Sequence, residues 1–295
     1  MNTKEIFNFS RFGKYFLTDL KTCVANYGLS LLTTTVLLPI VLYIIRVGIH
    51  AVAYSSWEGP EIGLRLFCFG LALIFIFTMM PVKCYGKLTE KHYGSFWLML
   101  PASRLEKFIS MFIMTCIIAP LCGTALFLGM DALMCAIDPT CGKTLIAGAK
   151  DIFSILAEMG DLKVNMGYVS IPVEDAESLS KLLENLTSPW LYVDEIFGIT
   201  LPFLLGAVYF KNNKIAKTCL ALFAFSMAVS LIMTPFTANL ASEIIENSID
   251  NPNAALEALG NRYFKNMVLI DIVSDTVFNI SLMTGVWFRI KTLKH

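Results

Sequence analysis

The chain has 295 residues, 56% hydrophobic and 16% charged, with no formal net charge and a mean hydropathy of +0.65. A soluble domain usually carries about 25% charged residues. The apolar residues come in blocks too long for a soluble core, and nothing in the charge balance points to a nucleic-acid partner.

Residues 1–21 precede the first block. "SRFGKYFLTDL" opens on Ser10, a good helix N-cap, and Phe9, Phe12, Phe16 and Leu20 recur at helical spacing among Arg11, Lys14, Asp19 and Lys21. This pattern predicts an amphipathic helix lying on a membrane surface; the plainer alternative is an extension of the first span. Charges are scattered among aromatics with no continuous apolar core, so the first block reads as an anchor and not a cleavable signal peptide.

Crossing about 30 Å of hydrocarbon takes roughly 20 apolar residues in helical form. Six blocks qualify or nearly so: 22–45, 62–82, 108–130, 191–210, 218–242 and 266–288. Backbone groups cannot stay unpaired in lipid, so the blocks are expected to be helices. The fourth is the weakest. Its uncharged part, Ile196–Phe210, spans only about 22 Å; it is either extended past Asp194 and Glu195 to Leu191 or re-entrant. The fold expectation is an all-α integral membrane protein, a single transmembrane domain with six spans, an N-terminal interfacial helix and a helical outer loop.

Lys and Arg near span ends set orientation. With the N-terminus inside, 15 of the 23 basic residues fall on inner segments, whereas only four of the 23 acids do. Both termini are therefore expected to be cytoplasmic. Residues 83–107 form the largest basic loop, hence an inner one. It contains "YGSFWLMLPASRLEKF". Ser103 and Glu106 make an S-x-x-E capping box, and Pro101 disfavours helix at Leu100. The result is an elbow: a short interfacial segment bearing Tyr93, Phe96 and Trp97, a break, then span 3. Any loop entering a membrane helix needs a cap; that alone does not explain the basic, aromatic loop before it.

The outer loop, 138–190, is acidic. "AKDIFSILAEMG" and "ESLSKLLENL" carry apolar residues on one helical face, which predicts two short helices over the outer mouth. "NAALEALGNRYF", after Pro252, is a third amphipathic piece. In span 6, Asp271, Asp275 and Asn279 share one face, with Asp275 roughly 15 Å in from Lys265. Ionised carboxylates facing lipid are costly. This face lines a polar pathway or proton-linked site, or its acids pair with Arg46 or Arg65 in helix contacts. A D-x-x-x-D pair is also found in magnesium-diphosphate prenyltransferase sites, but the second acidic cluster those need is missing. Pro39, Pro81, Pro120, Pro202 and Pro235 punctuate the first five spans.

Catalytic motifs are scarce. "CGKT" at Cys141–Thr144 lacks the Gly that a phosphate-binding loop needs, since Ile137 stands there. His50, His92 and His295 are isolated, and no metal-ligand spacing occurs. Neither a metal nor a bound cofactor is expected, and the chain reads as a non-enzyme. Cys135 and Cys141 flank a turn on the outer side; they are either a disulfide in an oxidising compartment or free thiols. The other six Cys lie in or beside spans and read as small apolar residues.

"NFSRFGKYFLTDLK", six spans with both ends inside, and "LMLPASRLEKFIS" at the start of span 3 resemble permease subunits of type-two ATP-binding-cassette exporters, in particular a bacterial group with an LPAS…EKF stretch. The resemblance in architecture covers the whole chain; the motif covers about Leu98–Phe108. It implies a multi-pass permease in the bacterial inner membrane, paired with a second copy or a sister permease. A separate cytoplasmic ATPase would use the ATP. By resemblance, the ATPase contacts fall on the elbow (Trp97, Leu100, Pro101, Ser103, Arg104, Glu106, Lys107) and on the N-terminal helix (Arg11, Phe12, Lys14, Phe16), beside membrane lipids. A non-transport sensor or assembly subunit, with the outer loop as ligand site, is the alternative; a membrane-embedded enzyme using Asp271 and Asp275 is a third. The large acidic loop departs from compact members, so the substrate does not carry over.

Overall fold

The computed structural model describes residues 7–148, 189–250 and 265–292. The expected outer-loop helices at 152–159 and 179–186, and the amphipathic piece before residue 265, lie outside the described residues. Those that are described form helices and no strands.

The described residues hold nine α-helices, in order α1 Phe9–Leu32, α2 Leu38–Tyr54, α3 Ile62–Tyr85, α4 Lys91–Met99, α5 Arg104–Ile113, α6 Ala119–Ile137, α7 Pro189–Tyr209, α8 Lys214–Asp250 and α9 Lys265–Thr292. Among the described residues, four stretches are long and apolar enough to cross a membrane: Phe9–Tyr54, Ile62–Thr89, Arg104–Ile137 and Lys214–Ile232. The apolar stretch of α7, Ile196–Tyr209, is shorter. Helix α9 is not among the four found in the described residues.

The N-terminal helix is not separated from the first span. α1 runs into α2 through a π-turn at Thr33–Leu37, giving 46 continuous helical residues, about 70 Å long. Its cap is Asn8 and not Ser10: Asn8 Oδ1 accepts from the amides of Ser10 (3.0 Å) and Arg11 (3.4 Å). A second π-turn, Met114–Ile118, joins α5 to α6. Both π-turns sit just before a proline, Pro39 and Pro120. A proline has no N–H to give, and its ring clashes with the carbonyl four residues back. Widening the helix by one residue relieves that clash: Leu38 bonds back to Thr33, and Ala119 to Met114.

The chain forms two compact units. The first holds residues 1–149, 199–218 and 281–295. Its core packs α3 against α6 and α1, with Cys68, Ala72, Phe127 and Leu145 buried together. Here Arg65 is tied to Asp131 at 2.7 Å, both almost fully buried. Arg65 also reaches the carbonyls of Cys141 and Lys143, and Asp131 takes the Leu145 amide. The turn after α6 is thereby held across two helices. The second unit holds residues 150–198 and 219–280. In it Phe225 of α8 stacks on Phe278 of α9 at 4.9 Å.

Candidate functional site

The elbow forms as the sequence predicts, and its polar residues turn inward. Leu100 is extended before Pro101, ending α4. Ser103 then caps α5: its Oγ accepts from the Glu106 amide at 3.2 Å, and Glu106 Oε2 accepts from the Ser103 amide at 2.8 Å. Glu106 does more than close the box. Its carboxylate also accepts from the Asn8 amide (2.8 Å) and from Arg11 Nε (2.9 Å) and Nη2 (2.8 Å), with no solvent exposure. The starts of α1 and α5 are thus locked through one carboxylate.

A second brace holds α4. Trp97 is buried, and its Nε1 donates to Tyr15 Oη of α1 at 3.0 Å. Lys107, also buried, sits over the Trp97 ring at 4.8 Å. Its Nζ donates to the carbonyls of Trp97 (2.7 Å) and Leu98 (3.2 Å), the unpaired end of α4. A cation suits that end of a helix. One face of α4 stays open: His92, Phe96 and Met99, at positions i, i+4 and i+7, are exposed, as are Pro101 and Arg104. Among the expected coupling residues, Trp97, Glu106 and Lys107 are therefore internal braces. In the N-terminal helix Lys14 is exposed, and Phe12 and Phe16 stack at 5.7 Å.

Around the elbow, several helix ends meet. Asp19 of α1 accepts from Ser110 of α5 (2.5 Å) and Tyr85 of α3 (2.9 Å). Lys214, at the start of α8, donates to carbonyls of Gly86, Ala207 and Phe210 and to Thr89 Oγ1. Arg104 donates to the Lys291 carbonyl at 2.6 Å. The starts of α1, α5 and α8 and the ends of α3, α7 and α9 belong to one cluster. The opposite ends of α2, α3 and α6 meet at Asp138. Its carboxylate accepts from Tyr43 Oη (2.6 Å), Trp57 Nε1 (3.0 Å) and Thr140 (2.9 Å from N, 2.7 Å from Oγ1). These bonds, that from Tyr43 foremost, hold its carboxyl well below the usual range.

The cysteine pair is unbonded: Cys135 and Cys141 are free thiols. Cys135 Sγ takes a hydrogen bond from Arg65 instead, and burial foremost pushes the Cys141 thiol up to about 11. Arg46 bonds Glu61, and Arg65 bonds Asp131. Asn279 finds a different partner. Its Nδ2 donates to Asp194 Oδ1 (2.7 Å) and the Asp194 carbonyl (3.0 Å), in α7. Asp275 is exposed and Asp271 lies one turn before it in α9.

Sequence reasoning missed Asn8, Tyr15, Asp19 and Lys214. Asn8 carried a signal, since Asn is as good an N-cap as Ser. The others pair across helices distant in sequence, which spacing does not reveal. Among the described residues no three His, Cys, Asp or Glu side chains group as a metal site. No family model, curated protein or solved structure matches this chain.

Proposed function

We propose that this chain is the membrane-spanning subunit of an ATP-driven exporter, crossing the bacterial inner membrane six times with both termini in the cytoplasm. The observation that carries the reading is the construction of the elbow. α4 is a short helix with one open face, His92, Phe96 and Met99, and its other face is braced to the starts of two candidate spans. A push on the open face therefore reaches α1 and α5 through Trp97, Lys107 and Glu106, with no flexible linker between. The ends meeting around the elbow are those that the basic-residue rule puts inside. That grouping supports six alternating crossings, including shorter α7 and more polar α9.

In this reading a separate ATPase docks on the open face of α4, and ATP-driven closure tilts α1 and α5. A second permease copy or a sister permease completes the path. The first half of α8 offers a surface for it, with Leu220, Phe223, Leu231 and Ile232 well exposed; lipid covers what a partner does not.

The test is co-purification from native membranes. The tagged wild type is expected to bring an ATPase subunit. A Phe96→Glu, Met99→Glu variant is expected to lose it while keeping its thermal unfolding midpoint, because neither side chain is packed inside. Clean isolation of the wild type with no nucleotide-binding partner sinks the proposal.

A further inference from the structure

Beside the elbow, between the first turns of α1 and the break after α4, lies a notch of about 390 Å³ lined by Asn8, Ser10, Arg11, Lys14, Tyr15, Thr18, Leu100 and Pro101. We propose that it binds the phosphate of an anionic phospholipid headgroup. The inference stands apart from the exporter reading and needs only that the chain sits in a membrane.

Position comes first. Arg11 is bonded to Glu106 and Asp19 to Ser110, so the first three turns of α1 lie level with the start of α5. The uncharged run of that helix begins at Phe108. The notch thus lies where hydrocarbon gives way to headgroups. Phe7, Phe9, Phe12 and Phe16 line up next to it, with ring centroids 5.0 to 5.7 Å apart. Phe9 is 83% exposed, which suits a side chain seated among lipids.

Charge comes second. Lys14 makes no ion pair among the described residues, although it is on the wall of the notch. The Arg11 guanidinium is on the same wall and shields Glu106, which has no exposure. Asp19, the other nearby carboxylate among the described residues, is taken up by Ser110 and Tyr85. Among the described residues the field in the notch is therefore positive, with no exposed acid on its wall.

The third observation points to a ligand. Tyr15 is 7% exposed and lines the notch. Its oxygen accepts from Trp97 Nε1, which leaves its own hydrogen without an acceptor among the described residues. A buried donor left unmade is unfavourable. A phosphate oxygen seated above Lys14 satisfies it, with Ser10 Oγ as a further donor at the rim. Leu100 and Pro101 form the apolar side, along which the glycerol backbone and acyl chains leave.

The full-length protein in dodecyl maltoside should be titrated with dihexanoyl phosphatidylglycerol, dihexanoyl phosphatidylcholine and inorganic phosphate, reading the thermal unfolding midpoint. Phosphatidylglycerol is expected to raise the midpoint saturably, and the other two are not, at equal concentration. Lys14→Gln should leave the lipid-free midpoint unchanged and weaken the phosphatidylglycerol response about fivefold, and Lys14→Arg should restore it. Equal protection by phosphatidylcholine overturns the requirement for net charge. Equal protection by inorganic phosphate overturns the lipid as source. An unchanged response in Lys14→Gln, or none in the wild type, overturns the site.

Discussion

Arg11 and Glu106 lie 95 positions apart in sequence and share a charge-assisted contact of 2.8 Å. The pair does two jobs at once, since the same carboxylate closes the capping box on Ser103. Glu106→Ala therefore removes the acceptor for the Ser103 amide, the Asn8 amide and the Arg11 guanidinium together. Breaking a buried pair from one side typically costs 3–5 kcal/mol. Arg11 is 38% exposed, so the expected loss sits near about 3 kcal/mol. Ser103→Ala touches only the cap and should cost about 1 kcal/mol. Thermal unfolding in detergent checks both; equal losses would mean that the Arg11 contact contributes nothing.

The Arg65–Asp131 pair calls for a double-mutant cycle. Each side chain is about 95% buried or more. Arg65→Leu alone or Asp131→Leu alone should lower stability by about 3–5 kcal/mol, through the charge left behind. The double variant is expected to recover part of this, since no lone charge remains. It should not reach wild type, because the Cys141 and Lys143 carbonyls and the Leu145 amide lose their partners. Strict additivity of the two single losses would contradict the direct contact.

Asp138 gives a pH dependence with a defined sign. Its folded carboxyl titrates below the ordinary aspartate value, held down first by Tyr43. Its contribution is therefore fully present above the unfolded value of about 3.9 and lost as pH falls below it toward the folded value. Acid unfolding midpoints should rise more steeply with pH from 3 to 4 in the wild type than in Asp138→Asn. Parallel curves would mean that Tyr43, Trp57 and Thr140 do not select the ionised form.

What the sequence let one read follows from range. The capping box is a three-residue relationship, and the Pro101 break a two-residue one; both were legible and both form. Apolar runs long enough to span were legible too, because length and composition are local sums. The partner of Glu106 was not, since nothing in either segment encodes a pairing 95 residues away. The same holds for Asp194 and Asn279, 85 apart. The sequence marked Asn279 as part of a polar face, but not that its amide would reach Asp194 on α7. The elbow shows a subtler limit. The resemblance to exporter permeases implied that Trp97, Glu106 and Lys107 face a partner, while packing uses them as braces and leaves Phe96 and Met99 outside.

The junction of α7 and α8 provides the last test. Gly206 lies against Thr218, which is 3% exposed: a Cβ on Gly206 would overlap Thr218 Oγ1 and stand only 3.0 Å from its Cβ. Thr218 cannot simply rotate away, because its hydroxyl donates to the Lys214 carbonyl at 2.8 Å, and a β-branched side chain in a helix has few rotamers. Gly206→Ala should therefore destabilise by about 1–3 kcal/mol, as overpacking does, despite the better helix propensity of alanine. Adding Thr218→Ala makes room for the new methyl group and should return most of the loss. Measured unfolding midpoints decide the matter: a Gly206→Ala protein as stable as wild type would mean that α7 and α8 do not approach so closely, and with it the four-acceptor seat of Lys214 would be in question.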